Sequence, residues 1–414
     1  WSGNSDHGGG GGSGGLGISG AGETNSLGHG SGGDLMASNG GSERGGGGDA
    51  GSITGGASAV GGTISGTVNA SGGGVAAQGG VVTFAGAGPC GIPPNPTGDP
   101  SQHRMVLRDA GVNRLAYIDV AHSANSWVVP LERELESGVV GRDMQLVGSC
   151  KLLVGTDVGY EEYDLRTGKK VGELSSFPGT FSAQRLRNRN TVLVGVGTDA
   201  APYQSSVGIV LIEIDASGTP VSKTIYPGTF VRLVRPTSNG TFLVANNTRV
   251  FEGDTVGNIL PITFTPPTSA LQVWKALRVS TTITDSPETV VSTGFGASLA
   301  IFRADGSFRR NIGGGTAAIV GGATAVDPYF FAGFQVLKNG NFIVANFRGS
   351  GAGNFSKGIP VLEYTPANAL AWYWGDPAYA DRLSSIQEVI VVDNLDLTKL
   401  HVEDTVGQQV PVDP

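Results

Sequence analysis

The sequence predicts an all-β fold: a six-bladed β-propeller over residues 104–395, with N- and C-terminal strands closing one blade and a glycine-rich low-complexity segment with short β-strands ahead of it. Three observations predict this. A strand–turn–strand pattern recurs along the chain. Its period of about 40 to 60 residues suits a four-stranded blade and is too long for a short solenoid repeat. An incomplete repeat stands at each end of the region, and the two halves complement one another.

The pattern is an apolar strand, a polar turn, a strand ending in Leu-Val-Gly or Val-Ala-Asn, and an acidic strand followed by a glycine turn. Phe181 to Gly195 and Phe230 to Asn246 both carry it. Phe334-Gln-Val-Leu-Lys-Asn-Gly-Asn-Phe-Ile-Val-Ala-Asn346 has it most cleanly, and Asp143 to Gly155 and Trp274 to Val291 are degenerate copies. Third strands with their turns follow at Tyr163–Gly168, Ile212–Gly218, Val250–Asp254, Ile301–Gly306 and Leu362–Asn368. Asn-Gly and Asp-Gly supply the positive φ that tight hairpins need. Alternation of apolar and polar residues is what half-buried strands require.

These are five blades. Arg104 to Leu107, Arg114 to Val120 and Trp127 to Leu131 add three strands that lack an innermost partner. Ser385-Ile-Gln-Glu-Val-Ile-Val-Val-Asp393 is one strand with no continuation. Pairing the two ends makes a sixth blade and removes open edges that invite aggregation.

The remainder divides by composition. Residues 1–91 hold 35 of the 69 glycines, no Lys and only Arg44. Residues 1–52 carry isolated apolar side chains and cannot offset the entropy of ordering so much glycine, so a flexible tether is expected. Residues 53–88 place β-branched side chains between glycine turns, and short strands are expected around Ile53, Ile64, Val68, Val75, Val81, Val82 and Phe84. This stretch resembles the first hairpin of small carboxypeptidase-regulatory-like sandwich domains but is too short to be a whole one. It needs a partner edge, on the ring or on another subunit. Residues 89–103, with five prolines from Pro89 to Pro100, read as a stiff linker, and residues 396–414 as a tail.

A net charge of −8 without runs of Lys or Arg argues against nucleic acid. No apolar run reaches the roughly 18 residues of a membrane span. Low charge, abundant Gly, Ser and Thr, and a start at Trp1, as after removal of an export signal, suggest an extracellular or cell-surface protein. Cys90 and Cys150 can form one bridge in an oxidising compartment or remain two buried thiols.

The blade motifs, above all Tyr163-Asp-Leu-Arg-Thr-Gly-Lys-Lys170 and Asn339-Gly-Asn-Phe-Ile-Val-Ala-Asn346, resemble those of bacterial secreted pyrroloquinoline-quinone-like and arylsulfotransferase-like propellers. The resemblance covers roughly residues 104–395 and consists of turn signatures, so it implies a fold rather than an activity. A quinoprotein would need a calcium-binding carboxylate cluster and often a vicinal disulfide, and neither is visible. A histidine mechanism needs a His in the channel. His7 and His29 lie in the glycine-rich segment, His103 in the linker, His122 in a turn and His401 in the tail.

Asp119, Asp164, Asp215, Asp254 and Asp305 recur from blade to blade, as a ring of metal ligands would. Asp before a glycine turn more simply accepts backbone N–H groups. The glycine runs at 8–12 and 45–48 lack the Gly-Lys-Ser/Thr ending of a phosphate loop. Sequons occur at Asn69, Asn239, Asn246 and Asn354, as expected by chance in such a chain. Trp372, Tyr373, Trp374, Phe330, Phe331 and Arg348 form an aromatic set whose simplest role is packing between blades, with a binding hot spot as the alternative.

The expected function is therefore that of an exported, non-enzymatic structural or binding module without cofactor or metal. Its N-terminal arm would mediate self-association, including filament formation, or surface attachment. The alternatives are a surface-tethered ligand-binding propeller and a quinoprotein-like enzyme.

Overall fold

The computed structural model describes residues 89–95, 97–131, 143–148, 150–206, 208–268, 272–279, 288–314 and 326–393. All belong to one compact unit, Gln78–Pro414. The segments 1–52 and 53–88, with the proposed assembly strands at Ile53, Ile64, Val68, Val75, Val81, Val82 and Phe84, and the tail 396–414 lie outside the described residues.

The chain enters the ring through β1 (Arg104–Asp109), β2 (Arg114–Asp119) and β3 (Trp127–Pro130). Blade 1 follows as β4 (Met144–Val147), β5 (Lys151–Thr156), β6 (Gly159–Asp164) and β7 (Lys170–Leu174). Blade 2 is β8 (Thr180–Arg185), β9 (Thr191–Val196), β10 (Ile209–Ile214) and β11 (Pro220–Tyr226). Blade 3 is β12 (Val234–Pro236), β13 (Phe242–Ala245), β14 (Val250–Gly253) and β15 (Ile259–Phe264). Blade 4 is β16 (Ala276–Val279), β17 (Glu288–Ser292), β18 (Ser298–Phe302) and β19 (Phe308–Gly313). Blade 5 is β20 (Phe331–Val336), β21 (Phe342–Asn346), β22 (Val361–Tyr364) and β23 (Leu370–Trp374). The last strand, β24 (Ile386–Val391), returns to pair antiparallel with β1, so the sixth sheet has the order β24-β1-β2-β3.

Each blade is an antiparallel meander because its turns permit nothing longer. Gly168, Gly306 and Gly340 hold φ of 66°, 82° and 87° at hairpin tips, a region that L side chains rarely adopt. Burial departs from simple alternation. β1, β20 and β24 are buried at every position, whereas the outermost β7 alternates between half-buried and exposed. A neighbouring blade covers each face of an inner sheet, so only the outer strand meets water on one side. Six hydrophobic clusters fill the six spaces between successive blades, including the one on each side of the closing sheet.

The segment read as a linker packs on the ring. Ile92 joins the cluster of Leu131, Met144 and Leu146, and Asn95 is fully buried. Cys90 and Cys150 form a disulfide with a Cα–Cα separation of 5.7 Å, fastening this segment to the β4–β5 turn of blade 1.

Candidate functional site

Antiparallel alternation puts the starts of the inner strands and the turns between second and third strands at one end of the ring, here called the mouth. Two features converge there: charged struts across the channel, and an aromatic rim above them.

The struts come from inner strands that are not neighbours. Asp143, just before β4, receives Arg235 of β12 at 2.7 and 3.0 Å, one guanidinium nitrogen to each carboxylate oxygen. The intervening blade 2 contributes Ser182, whose hydroxyl also donates to Asp143. Lys275, just before β16, pairs with Glu388 of β24. The intervening blade 5 contributes Gly333, where a Cβ would overlap the Glu388 carboxylate. Blades 1 and 3, and blades 4 and 6, are thus each tied past a small residue of the blade between them. All four charged side chains are buried, Lys275 and Glu388 at 1% and 0% side-chain exposure. Burial pushes Lys275 down and Glu388 up, each opposed by the other's charge.

The rim is built from Phe230, Arg232 and Trp274 on segments entering β12 and β16, Tyr329 and Phe330 before β20, and Phe295 and Phe347 on turns. Arg232 is 8% exposed, with its guanidinium 4.5 Å from the Phe230 ring centroid and 5.0 Å from that of Trp274. Trp274 packs edge-to-face on Phe330 at 5.5 Å, Phe330 on Phe295 at 4.8 Å, and Phe295 on Tyr329 at 5.6 Å. Phe295 and Tyr329 are each 45% exposed. Arg348 lies 4.8 Å over the Tyr329 ring and pairs with Asp327 at 2.7 Å. Rings that pack edge-to-face on one another and remain half-exposed form an apolar contact surface.

At the opposite end, His103 is held between Asp393 at 2.6 Å on Nδ1 and Glu363 of β22 at 3.1 Å on Nε2. Burial alone would lower its pKa, but the hydrogen bonds to Asp393 and Glu363 and their charges lift it to about 9. Trp372 closes the site edge-on at 5.2 Å. His103 is thus a part of the ring closure rather than of a linker, and sequence reading missed it because its partners lie 260 and 290 residues away. His122 is mostly exposed beside Asp119, and His7, His29 and His401 lie outside the described residues.

The recurring aspartates do what turn aspartates do. Asp164 accepts from the N–H of Arg166 and Thr167, Asp215 from Ser217 and Thr219, Asp254 from Val256 and Asn258, and Asp305 from Ser307. Asp119 accepts from the N–H of His122 and from the Asn125 side chain. They stay in separate blades, and among the described residues no group of three or more His, Cys, Asp or Glu could hold a metal ion. Of the sequons, Asn354 is buried and donates to loop carbonyls, Asn246 accepts from the N–H of Thr248 and Arg249, and Asn239 is exposed; Asn69 lies outside the described residues.

The aromatic set named from sequence divides. Trp374 and Phe331 are buried between blades, as packing residues are, and Tyr373 is 40% exposed on the outer strand. Phe330 and Arg348 belong to the rim. Lys275, Glu388, Asp143, Arg235, Arg232 and Phe295 were not visible as a site, since no local motif joins them. A separate cavity of about 310 Å³ opens between blades 2 and 3 beside Leu186, Glu213, Pro236 and Phe242. Glu213 is already engaged there by Asn188 at 2.9 Å and by Asn190 at 2.5 Å.

No protein-family model matches the chain, and no curated protein does either. Among solved structures, a protein of unknown function from Bacteroides caccae is similar at 17% identity and a TM-score of 0.53, over 70% of this chain and 99% of that one. Virginiamycin B lyase from Staphylococcus aureus aligns at 8% identity and a TM-score of 0.39, over 67% of this chain and 86% of that one. Regucalcin from Agrobacterium tumefaciens aligns at 13% and 0.42, over 60% and 79%. At such identity the first of these supports the propeller fold, and not the quinone-type or sulfotransferase-type families that the blade motifs resemble.

Proposed function

We propose that this chain is an exported, non-enzymatic binding propeller that takes its ligand at the aromatic mouth of the ring. The carrying observation is the pair of half-exposed rings, Phe295 and Tyr329, packed on buried aromatic side chains at the same end of the ring as the ion pairs. Buried, mutually neutralised charges suit a scaffold better than a reactive group. The Cys90–Cys150 disulfide supports export, since such bonds persist in oxidising compartments. A thermal-shift screen of small aromatic compounds, run on the native chain and on Phe295→Ser/Tyr329→Ser, tests the reading. Compounds that stabilise only the native chain are expected. Stabilisation that survives the double substitution would place the ligand elsewhere.

The arm is proposed to serve attachment or self-assembly, by strand addition to a neighbouring subunit. The disulfide at its root supports this, because a pull on the arm is passed to blade 1 through a covalent bond. Electron microscopy and size-exclusion chromatography of the chain with and without residues 1–88 check it. Identical assembly of the two forms would end the idea.

A further inference from the structure

Building on the mouth reading above, we propose that the ligand is a small organic anion with a planar apolar body, and that Arg232 receives its carboxylate-type group. Arg232 is a buried cation without a carboxylate partner among the described residues, unlike Arg235, which has Asp143, and Arg104, which has Asp119 and Asp393. Its one hydrogen bond to a side chain runs from Nη2 to Gln272 Oε1 at 3.1 Å, and Nε has no partner. A buried charge left in that state is costly unless an anion completes it. The rings of Phe230 and Trp274 lie against the guanidinium, and a guanidinium donates in its own plane, the direction in which Arg takes a carboxylate.

The surroundings supply the other half of the ligand. Trp274 and Phe330 are buried beside Arg232, and the layer they begin ends in the half-exposed Phe295 and Tyr329, whose rings give an apolar body a surface to lie on. The channel struts below cancel in charge, Asp143 against Arg235 and Glu388 against Lys275, so neither strut offers Arg232 an unpaired carboxylate.

The test is calorimetric titration of the full chain with benzoate, benzyl alcohol and benzylamine, repeated on Arg232→Gln and Arg232→Lys. Benzoate is expected to bind at least tenfold more tightly than benzyl alcohol, and more weakly as salt rises. Arg232→Gln is expected to erase that preference while keeping the alcohol's affinity, and Arg232→Lys to restore part of it. Equal affinities for benzoate and the alcohol, equal weakening of both by Arg232→Gln, or a preference for benzylamine would each overturn the anion assignment and leave the mouth as a binding surface. Failure of all three to bind would remove the mouth reading with it. If the Arg232 variants lose their fold by circular dichroism, the native chain's ranking of the three probes decides alone.

Discussion

Asp109 and Asp393 stand at opposite ends of the β24–β1 pairing, and each accepts hydrogen bonds from backbone at the start of the other's strand. Asp109, the last residue of β1, accepts from the N–H groups of Ser384 and Ser385, which lead into β24. Asp393, just past β24, accepts from the N–H of Arg104, the first residue of β1, at 3.0 Å. The ring is closed by one strand pair, and a buried carboxylate ties each end of that pair.

The Asp109 tie should be the more costly to remove. Its carboxylate also accepts from Gly111 at 2.6 Å and Val112 at 3.2 Å, so Asp109→Ala strands these two half-buried donors together with the buried ones of Ser384 and Ser385. A loss of about 2–4 kcal/mol is expected in urea denaturation, by analogy with broken buried charge networks. Amide exchange should accelerate first at Ile386–Val391, the strand released. Unchanged exchange there would show that the apolar faces of β24 hold the seam unaided.

The Asp393 end should respond to alkali through His103. Its folded pKa of about 9 lies above the ordinary value of 6.5, so the stabilisation is complete below about pH 6.5 and is lost as pH rises through 9. The full span corresponds to roughly 3 kcal/mol. Stability measured from pH 6 to 10 should fall, and His103→Gln should flatten that part of the profile. An equal slope in the variant would assign the effect to other groups.

The Lys275–Glu388 strut should behave as a buried pair. Lys275→Met alone leaves a carboxylate unmatched at 0% exposure and is expected to cost about 3–5 kcal/mol. Lys275→Met combined with Glu388→Leu should recover most of that loss, because the desolvation penalty goes with the charges. Gly333→Ala should destabilise by about 1–3 kcal/mol through overlap with the Glu388 carboxylate. Additive effects in the Lys275/Glu388 cycle would show that the pair is not coupled.

The disulfide closes a long loop, with 60 residues separating Cys90 from Cys150. Constraining an unfolded chain over that span is worth about 4 kcal/mol in the chain-entropy model. The Cys90→Ser/Cys150→Ser variant should therefore melt earlier, while its blades keep their far-ultraviolet spectrum. The 89–103 segment should become sensitive to protease. Resistance equal to that of the native chain would mean that Ile92 and Asn95 hold the segment by themselves.

The legible parts were those written in local chemistry. Asp215 with Gly218 and Asp305 with Gly306 close tight turns within a few residues, so blade spacing could be read along the chain. The split blade followed by counting, since three strands from Arg104 onward lacked an inner partner and one strand near Ile386 had no successor. Turn chemistry also explained the recurring aspartates. Alternation was a poorer guide for the inner strands, because blades on both faces bury every residue of β20 and β24.

By itself, the sequence determined the all-β class, the six blades and the strand that closes them, because hairpin turns and strand patterning act over neighbouring residues. Only the tertiary structure decided what the ring brings together. Asp143 meets Arg235 across 92 positions, Lys275 meets Glu388 across 113, and Arg232 is enclosed by rings from two blades. The reason is geometric. Closing the ring sets the starts of all six inner strands around one axis, so residues far apart in the chain share a channel and a rim that no local motif encodes.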